Sequence, residues 1–293
     1  MNIALLGSGH IMKRLAISII KEGHRIEVVG TNPNADIKSW ELDEIGINPE
    51  IVKEYSEICN LPVDAILMFS YAPLIKGEYL CQKQFINIHY ALLPRFRGFH
   101  GFIWSLINDE PNVGYTVHKV NEGIDSGDIY FQHSIKVNDN VNIIELRESL
   151  DNHLSENIGK YLTLIEKGCQ AVPQDDSKAI YVTKRNPEQG EINWNWNARL
   201  IFNHIRALTP PMTPGAYSFY KDRKIVFTKA RYLKSENYYS TVGKILNINN
   251  TTGSILVKCS DRPIEITEVS LDGINMIPAE LFKKVGESFS SIH

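Results

Sequence analysis

The sequence has few cysteines, and they form no pattern that suggests a disulfide framework or a metal site. The four cysteines are far apart in the chain, at Cys59, Cys81, Cys169 and Cys259. Closely paired cysteines, or cysteines with matching histidines, are the usual sign of disulfide-stabilised domains and zinc sites. The spacing therefore predicts reduced, structural thiols and no bound metal.

Long apolar runs and an excess of one charge are also missing. The net charge is −3 over 293 residues, which does not indicate a protein built around a polyanion such as nucleic acid. No run approaches the ~20 apolar residues that cross a bilayer, and no basic segment with an apolar run and a cleavage site stands at the start. We therefore expect a cytoplasmic protein without a membrane partner, and nucleic acid is an unlikely ligand.

The chain does contain the alternation that is typical of an α/β domain. Residues 2–6 are a continuous apolar run, residues 12–20 carry apolar side chains at helical spacing, and residues 26–30 are again apolar. This order predicts a βαβ unit whose strands are parallel and buried. Residues 63–69 predict a further buried strand, whose carboxyl end is where ligands gather in open α/β sheets.

The turn between the first strand and the first helix is rich in glycine. It reads Gly7-Ser8-Gly9-His10, and Met12 stands where a dinucleotide fingerprint would have its third glycine. A helix N-terminus can hold a phosphate, but a tight structural turn explains the glycines equally well. Both interpretations remain open for Ser8 and Gly9.

The most informative stretch lies between residues 85 and 133. Asn87 and His89 stand two apart in a strand-like run, so their side chains point to the same face. Asp125 follows in a turn with a glycine on either side, which can bring the carboxylate close to another element. An amide can stabilise an oxyanion, an imidazole can move a proton, and a carboxylate can orient the imidazole. These residues predict acyl transfer in which the attacking group belongs to the substrate.

Neighbouring charged and aromatic residues are less specific. Arg95 and Arg97 lie close to this strand and are candidates for binding a substrate anion, although each alone reads as an ordinary loop charge. His118 alternates with apolar residues and is interpreted as a residue on a strand face. Residues 142–167 predict a long core helix that Asn142 caps and Gly168 ends.

The composition changes in the last third of the chain. We expect a catalytic domain over residues 1–190, a connector helix and linker over 191–215, and a small β-rich domain over 216–293. The last segment has short alternating strands separated by turn residues, which predicts a small barrel or an open sheet. Its role stays open between substrate binding, a homodimer contact and a structural remnant.

Three linked motifs resemble the formyltransferase family: the Asn87-x-His89 pair, the loop Leu92–Gly98 and the turn Gly123–Asp128. The resemblance extends to the connector, and so covers nearly all of the chain. It implies a Rossmann-like N-terminal domain, an OB-like C-terminal domain and 10-formyltetrahydrofolate as the co-substrate. It also implies that Asn87, His89 and Asp125 are catalytic.

The resemblance also implies binding residues. The folate pocket would include Phe69, Tyr71, Leu74, Gly123 and Ile124. In some relatives the glycine loop meets a substrate phosphate, which adds Ser8 and Gly9 to the expected substrate site. The other residues expected there are Tyr90, Arg95 and Arg97.

The acceptor is expected to be a small molecule. Methionyl-tRNA formyltransferases usually have glycine directly after the catalytic histidine, and Tyr90 stands there in this chain. The surrounding run is more like that of sugar-modifying members. We therefore expect a nucleotide-linked deoxyaminosugar, such as dTDP-4-amino-4,6-dideoxyglucose, destined for surface polysaccharide (O-antigen). The alternatives are methionyl-tRNA as acceptor and, in another class, a non-catalytic nucleotide-binding module.

Overall fold

The computed structural model of the protein describes residues 1–31, 41–48, 50–51, 55–71, 75–234 and 238–290. The chain divides into two compact units. The first comprises Met1–Phe102, Val113–Ile135 and Arg147–Thr183, and the second comprises Ile103–Asn112, Lys136–Leu146 and Lys184–His293. The domain boundaries expected from the sequence remain predictions.

The elements are numbered in chain order. The strands are β1 (Asn2–Gly7), β2 (Arg25–Thr31), β3 (Glu50–Ile51), β4 (Ala65–Phe69), β5 (Gln84–His89), β6 (Arg97–Gly98), β7 (Asn112–Lys119), β8 (Ile129–Lys136), β9 (Tyr181–Val182), β10 (Ala216–Tyr220), β11 (Arg223–Tyr232), β12 (Ile245–Ile248), β13 (Ile255–Lys258), β14 (Pro263–Leu271) and β15 (Ile274–Met276). The α-helices are α1 (Ile11–Lys21), α2 (Tyr55–Cys59), α3 (Gly77–Leu80), α4 (Gly101–Ile107), α5 (Ile143–Glu166), α6 (Ala198–Ala207) and α7 (Pro278–Leu281). Short 3-10 helices cover Leu42–Ile45, Asp176–Lys178 and Pro187–Gly190.

A seven-stranded sheet forms the framework of the first unit. Its order is β3-β2-β1-β4-β5-β7-β8, and the pairs from β3 to β5 are all parallel. Every residue of β4 is buried, as expected for a parallel strand covered on both faces. The order 3-2-1-4-5 is that of a Rossmann-type sheet, so the predicted Rossmann-like architecture is confirmed.

The strand order reverses between β1 and β4, and this point determines where a ligand can enter. β1 ends at Gly7 and β4 ends at Phe69, so the two carboxyl ends stand side by side. A Cβ on Gly7 would lie 2.4 Å from the carbonyl oxygen of Phe69 and 2.7 Å from Sδ of Met12. Glycine is therefore required here by the close approach of the two strands. Crevices at such reversals bind ligands in open α/β sheets.

The long helix has the ends that the sequence predicts. The side chain of Asn142 accepts hydrogen bonds from the backbone N–H groups of Ile144 and Glu145, at 2.9 and 3.2 Å. Glu145 accepts in return from the N–H of Asn142, at 2.9 Å, so the two residues form a capping box. After the helix, Gly168 has a φ of +89°, a left-handed conformation that favours glycine. The cap and the stop are both confirmed.

The second unit is built on antiparallel strands. Its sheet has the order β10-β11-β14-β13-β12, and β15 pairs with β14. Helix α6 begins with a cap, in which Leu200 N–H donates to Oδ1 of Asn197 at 2.8 Å. The apolar side of α6 joins a core that includes Trp194, Phe227 and Phe289. The β-rich character expected for the C-terminal part is confirmed.

Candidate active site

Strand β5 presents the two polar residues that the sequence predicts. Asn87 and His89 lie on one side of the strand, while Ile86 and Ile88 are buried on the other. β5 pairs with β7 in antiparallel orientation, and His118 stands directly opposite Asn87. Because directly opposite residues on paired strands are in contact range, the register adds a second imidazole to the site.

Asp125 comes from the turn between β7 and β8. Its φ is +48°, an unusual backbone conformation for a residue with a side chain. A Cβ on Gly127 would lie 1.9 Å from the carbonyl oxygen of Lys119, so only glycine fits at this position. The N–H of Gly98 donates to Oδ2 of Asp125 at 2.8 Å. The turn is therefore fixed with its carboxylate directed at the end of β5.

These elements bring the three predicted residues together. Nδ2 of Asn87 lies 3.3 Å from Oδ1 of Asp125 and 3.1 Å from Nε2 of His118. Nδ1 of His89 lies 3.4 Å from Oδ2 of Asp125, and Nε2 of His118 lies 3.5 Å from Oδ1 of Asp125. The result is one cluster of an amide, a carboxylate and two imidazoles.

His118 is the residue that sequence reasoning missed. It reads as an ordinary strand-face histidine, but it is 1% exposed and touches both Asn87 and Asp125. The signal that identifies it is the register of β5 against β7. A single sequence does not contain that register.

Hydrogen bonds to the backbone determine where each imidazole carries its proton. Nε2 of His89 bonds the carbonyl oxygen of Phe96 at 2.8 Å, and Nδ1 of His118 bonds that of Lys119 at 2.6 Å. A carbonyl oxygen only accepts, so these nitrogens are the donors. In the neutral rings, Nδ1 of His89 and Nε2 of His118 are therefore free of protons. The basic nitrogen of His89 faces Asp125, and that of His118 accepts from Asn87.

The electrostatics of the cluster keep Asp125 charged and His89 neutral. Burial works to raise the pKa of Asp125, but His89 and His118, once protonated, and the N–H of Gly98 outweigh it and bring the pKa to about 2. Burial is the main cause that lowers the pKa of His89, while Asp125 and the Phe96 carbonyl raise it in part. At neutral pH the cluster therefore combines a carboxylate with an unprotonated base, which is suited to take up one proton.

The structure describes four of the five residues predicted for the folate pocket. Phe69 is buried at the end of β4, and Tyr71 follows it, half-buried with a pKa raised by burial. Ile124 is 47% exposed beside Asp125, although it is apolar. Gly123 is exposed, and its N–H donates to Oδ1 of Asn121 at 3.1 Å. Leu74 lies outside the described residues.

The predicted substrate residues Ser8 and Gly9 follow the carboxyl end of β1. Gly9 is exposed with a φ of +100°. The backbone N–H of Ser8 donates to the carbonyl of Phe69 at 3.2 Å, and its hydroxyl to that of Ser70 at 3.1 Å. These bonds tie the end of β1 to the end of β4. Ser8 and Gly9 thus border the crevice where the strand order reverses.

Tyr90 belongs to an aromatic and charged group at the end of β5. Its hydroxyl donates to Asp151, and its ring lies 5.4 Å from that of Phe69, centroid to centroid. The guanidinium of Arg147 lies 4.2 Å from the ring centre of Tyr90 and bonds Asp151 at 2.7 Å. Burial raises the pKa of Tyr90. The phenol of Tyr90 is therefore held in one position by Asp151 and Arg147 of helix α5.

The two arginines have different environments. Arg95 is exposed, with its guanidinium 5.3 Å from the ring centre of Phe96. Arg97 is 2% exposed, and its guanidinium bonds Gln174, Asp176 and Tyr181. The structure gives Arg97 internal partners, so it does not present a free charge to a substrate anion.

Among the described residues, no group of three or more His, Cys, Asp or Glu side chains is arranged to hold a metal ion. Over the same part of the chain, every helix is too short or too polar to cross a membrane.

Family models match most of the chain. The model described as "Formyl transferase" matches residues 1–158, and the model described as "Formyl transferase, C-terminal domain" matches residues 184–285.

Individual proteins add to this similarity. A methionyl-tRNA formyltransferase from Pelagibacter ubique is 30% identical over 85% of this chain and 76% of its own length. A bifunctional polymyxin resistance protein from Wigglesworthia glossinidia brevipalpis is 33% identical over 75% of this chain, but the match spans only 33% of that protein. An N-formyltransferase from Helicobacter canadensis, solved with folinic acid and dTDP-3-aminofucose, superposes with a TM-score of 0.70. It shares 18% identity and covers 92% of this chain and 99% of its own, so it shows the fold.

Proposed function

Because the chain belongs to the formyltransferase family, we propose that it transfers a formyl group from 10-formyltetrahydrofolate to the amine of a nucleotide-linked deoxyaminosugar. That it is an enzyme of formyl transfer, with formyltetrahydrofolate as donor, follows from the family. A non-catalytic nucleotide-binding module is therefore not supported. The acceptor, its amine position and its use in surface polysaccharide (O-antigen) are the proposed part, and a cytoplasmic location stays a prediction.

The observation that carries the proposal is the contact between Asn87, His89 and Asp125. The mechanism begins when the neutral amine of the acceptor attacks the formyl carbon. A carbon–nitrogen bond forms to the amine, and the bond from the formyl carbon to the folate nitrogen breaks. That folate nitrogen takes one proton as it leaves, which balances the one proton that the amine loses through His89. No nucleophile of the protein is needed, in line with the expectation from the sequence.

Asn87 stabilises the charge that develops on the formyl oxygen. Its Nδ2 carries two hydrogens: one is held by His118 at 3.1 Å, and the other points to Asp125 at the longer distance of 3.3 Å. The hydrogen on the Asp125 side has the longer contact, so it is the one available to donate to the oxyanion. An oxyanion donor contributes typically ~100- to 1000-fold to turnover.

His89 takes the proton that the amine loses. Its Nδ1 is the basic nitrogen, because Nε2–H is held by the carbonyl of Phe96. Asp125, 3.4 Å away, stabilises the imidazolium that forms. General base catalysis of this kind contributes roughly 100- to 10,000-fold.

Tyr90 supports a small acceptor. Its ring is fixed between Phe69 and Arg147, with its hydroxyl held by Asp151. An aromatic ring and a guanidinium thereby narrow the space for the acceptor beside His89. The N-formyltransferase from Helicobacter canadensis, which shares this fold, was solved with dTDP-3-aminofucose. This similarity supports a nucleotide-linked aminosugar as the class of acceptor.

Methionyl-tRNA is the second candidate, and two observations favour it. Methionyl-tRNA formyltransferases that are 27–30% identical to the chain match over 81–96% of its length. In addition, residues 184–293 contain 15 Lys and Arg against 10 Asp and Glu. Several of these cations are already paired on the surface, among them Lys221 with Glu287, Arg223 with Asp272 and Lys229 with Glu268. We therefore rank tRNA second.

A formyl-transfer assay with two acceptors in parallel separates the candidates. A panel of nucleotide-linked aminosugars and charged initiator tRNA are each incubated with 10-formyltetrahydrofolate, at two salt concentrations. We expect turnover with a sugar and a weak dependence of KM on salt. Turnover with tRNA alone, with affinity falling ~1000-fold or more between 50 and 200 mM salt as for a polyanion, would overturn the sugar acceptor and keep the chemistry.

A further inference from the structure

The turn that carries Asp125 is held by a side chain from a distant part of the sequence. Nε2 of Gln174 donates to the carbonyl oxygen of Asp125 at 2.8 Å and to that of Gly127 at 2.7 Å. Gln174 follows helix α5 and is half-buried. Both hydrogens of its amide are thus bound to the backbone on either side of Ser126, at the centre of the catalytic turn.

Arg97 fixes the direction of the Gln174 amide. Its Nε and Nη2 donate to Oε1 of Gln174 at 3.1 and 2.8 Å. A guanidinium only donates, so it must face the oxygen of the amide, and the NH₂ group must face the turn. Nη1 donates to the hydroxyl of Tyr181 at 2.9 Å, and Nη2 to Oδ1 of Asp176 at 2.6 Å. Four bonds therefore hold the buried guanidinium in place.

The strand that contains Arg97 contacts Asp125 a second time. β6 pairs with β9, so that Arg97 is opposite Tyr181 and Gly98 is opposite Val182. Gly98 has a φ of +101°, and a Cβ there would lie 2.5 Å from the carbonyl oxygen of Val182. In this close pairing, the N–H of Gly98 reaches Oδ2 of Asp125 at 2.8 Å. Strand β6 thus acts on Asp125 in two ways. Gly98 bonds its carboxylate, and Arg97 orients the amide of Gln174 that bonds its backbone carbonyl.

We propose that Gln174, oriented by Arg97, is a positioning residue that holds the Asp125 turn in its catalytic geometry. The inference rests on the proposed function, because it assigns Asp125 to the stabilisation of His89. Asp125 has a left-handed backbone, a conformation that persists only where the surroundings fix it. Gln174 supplies two of the bonds that do so, and it touches neither the amide of Asn87 nor the ring of His89 in the contacts described above.

Two variants of Gln174 separate its contact with Arg97 from its hydrogen bonds to the Asp125 turn. Gln174→Glu keeps an oxygen for Arg97 but loses both donors to the turn, and Gln174→Met keeps the length of the side chain and loses all its hydrogen bonds. The matched control is Gln170→Glu, because Gln170 is exposed in the same segment and bonds the carbonyl of Gly168. Steady-state kinetics with the active acceptor are measured for each, with thermal melting to show that the chain is folded.

We expect kcat of both Gln174 variants to fall by roughly 10- to 100-fold, since a 1 Å misplacement can cost ~100-fold, while KM for the folate donor stays within a few-fold. Gln174→Glu should lose as much as Gln174→Met although it keeps the Arg97 contact. Gln170→Glu should match the wild type. A rise in KM with kcat unchanged would overturn the proposal and make Gln174 a binding residue, and kcat within about two-fold of wild type in Gln174→Glu would also overturn it.

A measurement without substrate tests the geometry independently of the reaction. The imidazole resonances of His89 are titrated by NMR in the wild type and in Gln174→Met. Because Asp125 raises the pKa of His89 against burial, displacement of the turn should lower that pKa. An unchanged titration in a folded variant would overturn the positioning role. A shifted titration in a protein that transfers no formyl group would instead keep the positioning role and count against the proposed function.

Discussion

At the scale of single residues, the account depends on the charge of Asp125 next to a neutral His89. The carboxylate is 3.4 Å from Nδ1 of His89 and receives the N–H of Gly98. The ring keeps its basic nitrogen free because the carbonyl of Phe96 holds the other one. In this account Asp125 supplies the negative charge and His89 supplies the base, and the hydrogen bonds with Gly98 and Phe96 fix these two roles.

Asp125→Asn tests this division directly. The amide has the same shape but no charge, so it cannot stabilise the imidazolium, and we expect kcat to fall by roughly 100-fold or more, within the range of general acid–base effects. Because Asp125 raises the pKa of His89, that pKa should fall further in the variant, as measured by NMR titration. Asp128→Asn is the control, since Asp128 pairs with Lys119 in the same loop. Equal losses in both variants would show that the loop, and not the charge, is responsible.

The same variant has a defined effect on stability as a function of pH. The folded pKa of Asp125 is about 2, below its usual 3.8, so its charge stabilises the folded state above about pH 4, and this contribution is lost as the pH falls towards 2. The shift corresponds to about 2 kcal/mol. Urea unfolding should therefore show that the gap between wild type and Asp125→Asn narrows as the pH is lowered from 5 towards 3, by about 1 kcal/mol or more. A gap that stays constant would contradict the depressed pKa.

The sequence predicts Asn87, His89 and Asp125 because they belong to motifs with fixed spacing. It does not identify His118, because its neighbour Asn87 is 31 residues away and the contact depends on the register of two strands. Arg97 is the opposite case. A charge next to an active strand suggests a substrate anion, but partners 77 and 84 residues further along the chain hold it inside the protein.

At the scale of elements, the catalytic turn is shaped by a close passage of two backbones. Lys119 ends β7, and Gly127 passes its carbonyl so closely that a Cβ would lie at 1.9 Å. The βαβ opening, the apolar strand β4 and the capped helix α5 all follow from local patterns in the sequence. The segment after α5 is different, because no local pattern in the sequence indicates that Gln174 bonds to the turn of Asp125.

Gly127→Ala tests the close approach of Gly127 to the carbonyl of Lys119. The added methyl group forces the turn away from Lys119, so we expect the free energy of unfolding to fall by about 1–3 kcal/mol, as for overpacking, and kcat to fall at least ~10-fold through displacement of Asp125. Gly273→Ala is the control, because it has open space around its Cβ position and a φ of +83°. That substitution should lower stability while leaving kcat unchanged. Full activity in Gly127→Ala would show that the turn tolerates a shift.

At the scale of the whole molecule, fold and chemistry are better determined than the acceptor. The strand order shows a Rossmann-type sheet, and the family models show a formyltransferase. The proposal for the acceptor rests on side chains such as Tyr90 and Arg147, whose contact joins the end of β5 to helix α5. The sequence predicts a sugar acceptor from Tyr90 and its neighbours, but no local pattern in the sequence predicts that Arg147 packs on the Tyr90 ring.

The most direct test of the central claim follows the formyl group itself. A 13C-labelled formyl donor is mixed with an excess of enzyme and, in separate samples, with each nucleotide-linked aminosugar of the panel, beginning with a dTDP-linked 4-aminosugar. A single turnover is followed by NMR for the wild type, Asn87→Ala and His89→Gln. The account predicts that the label moves to a sugar formamide in the wild type and that each variant slows this step by ~100-fold or more. Transfer at the wild-type rate in either variant would contradict the mechanism, and a label that stays on the folate with every aminosugar would contradict the acceptor.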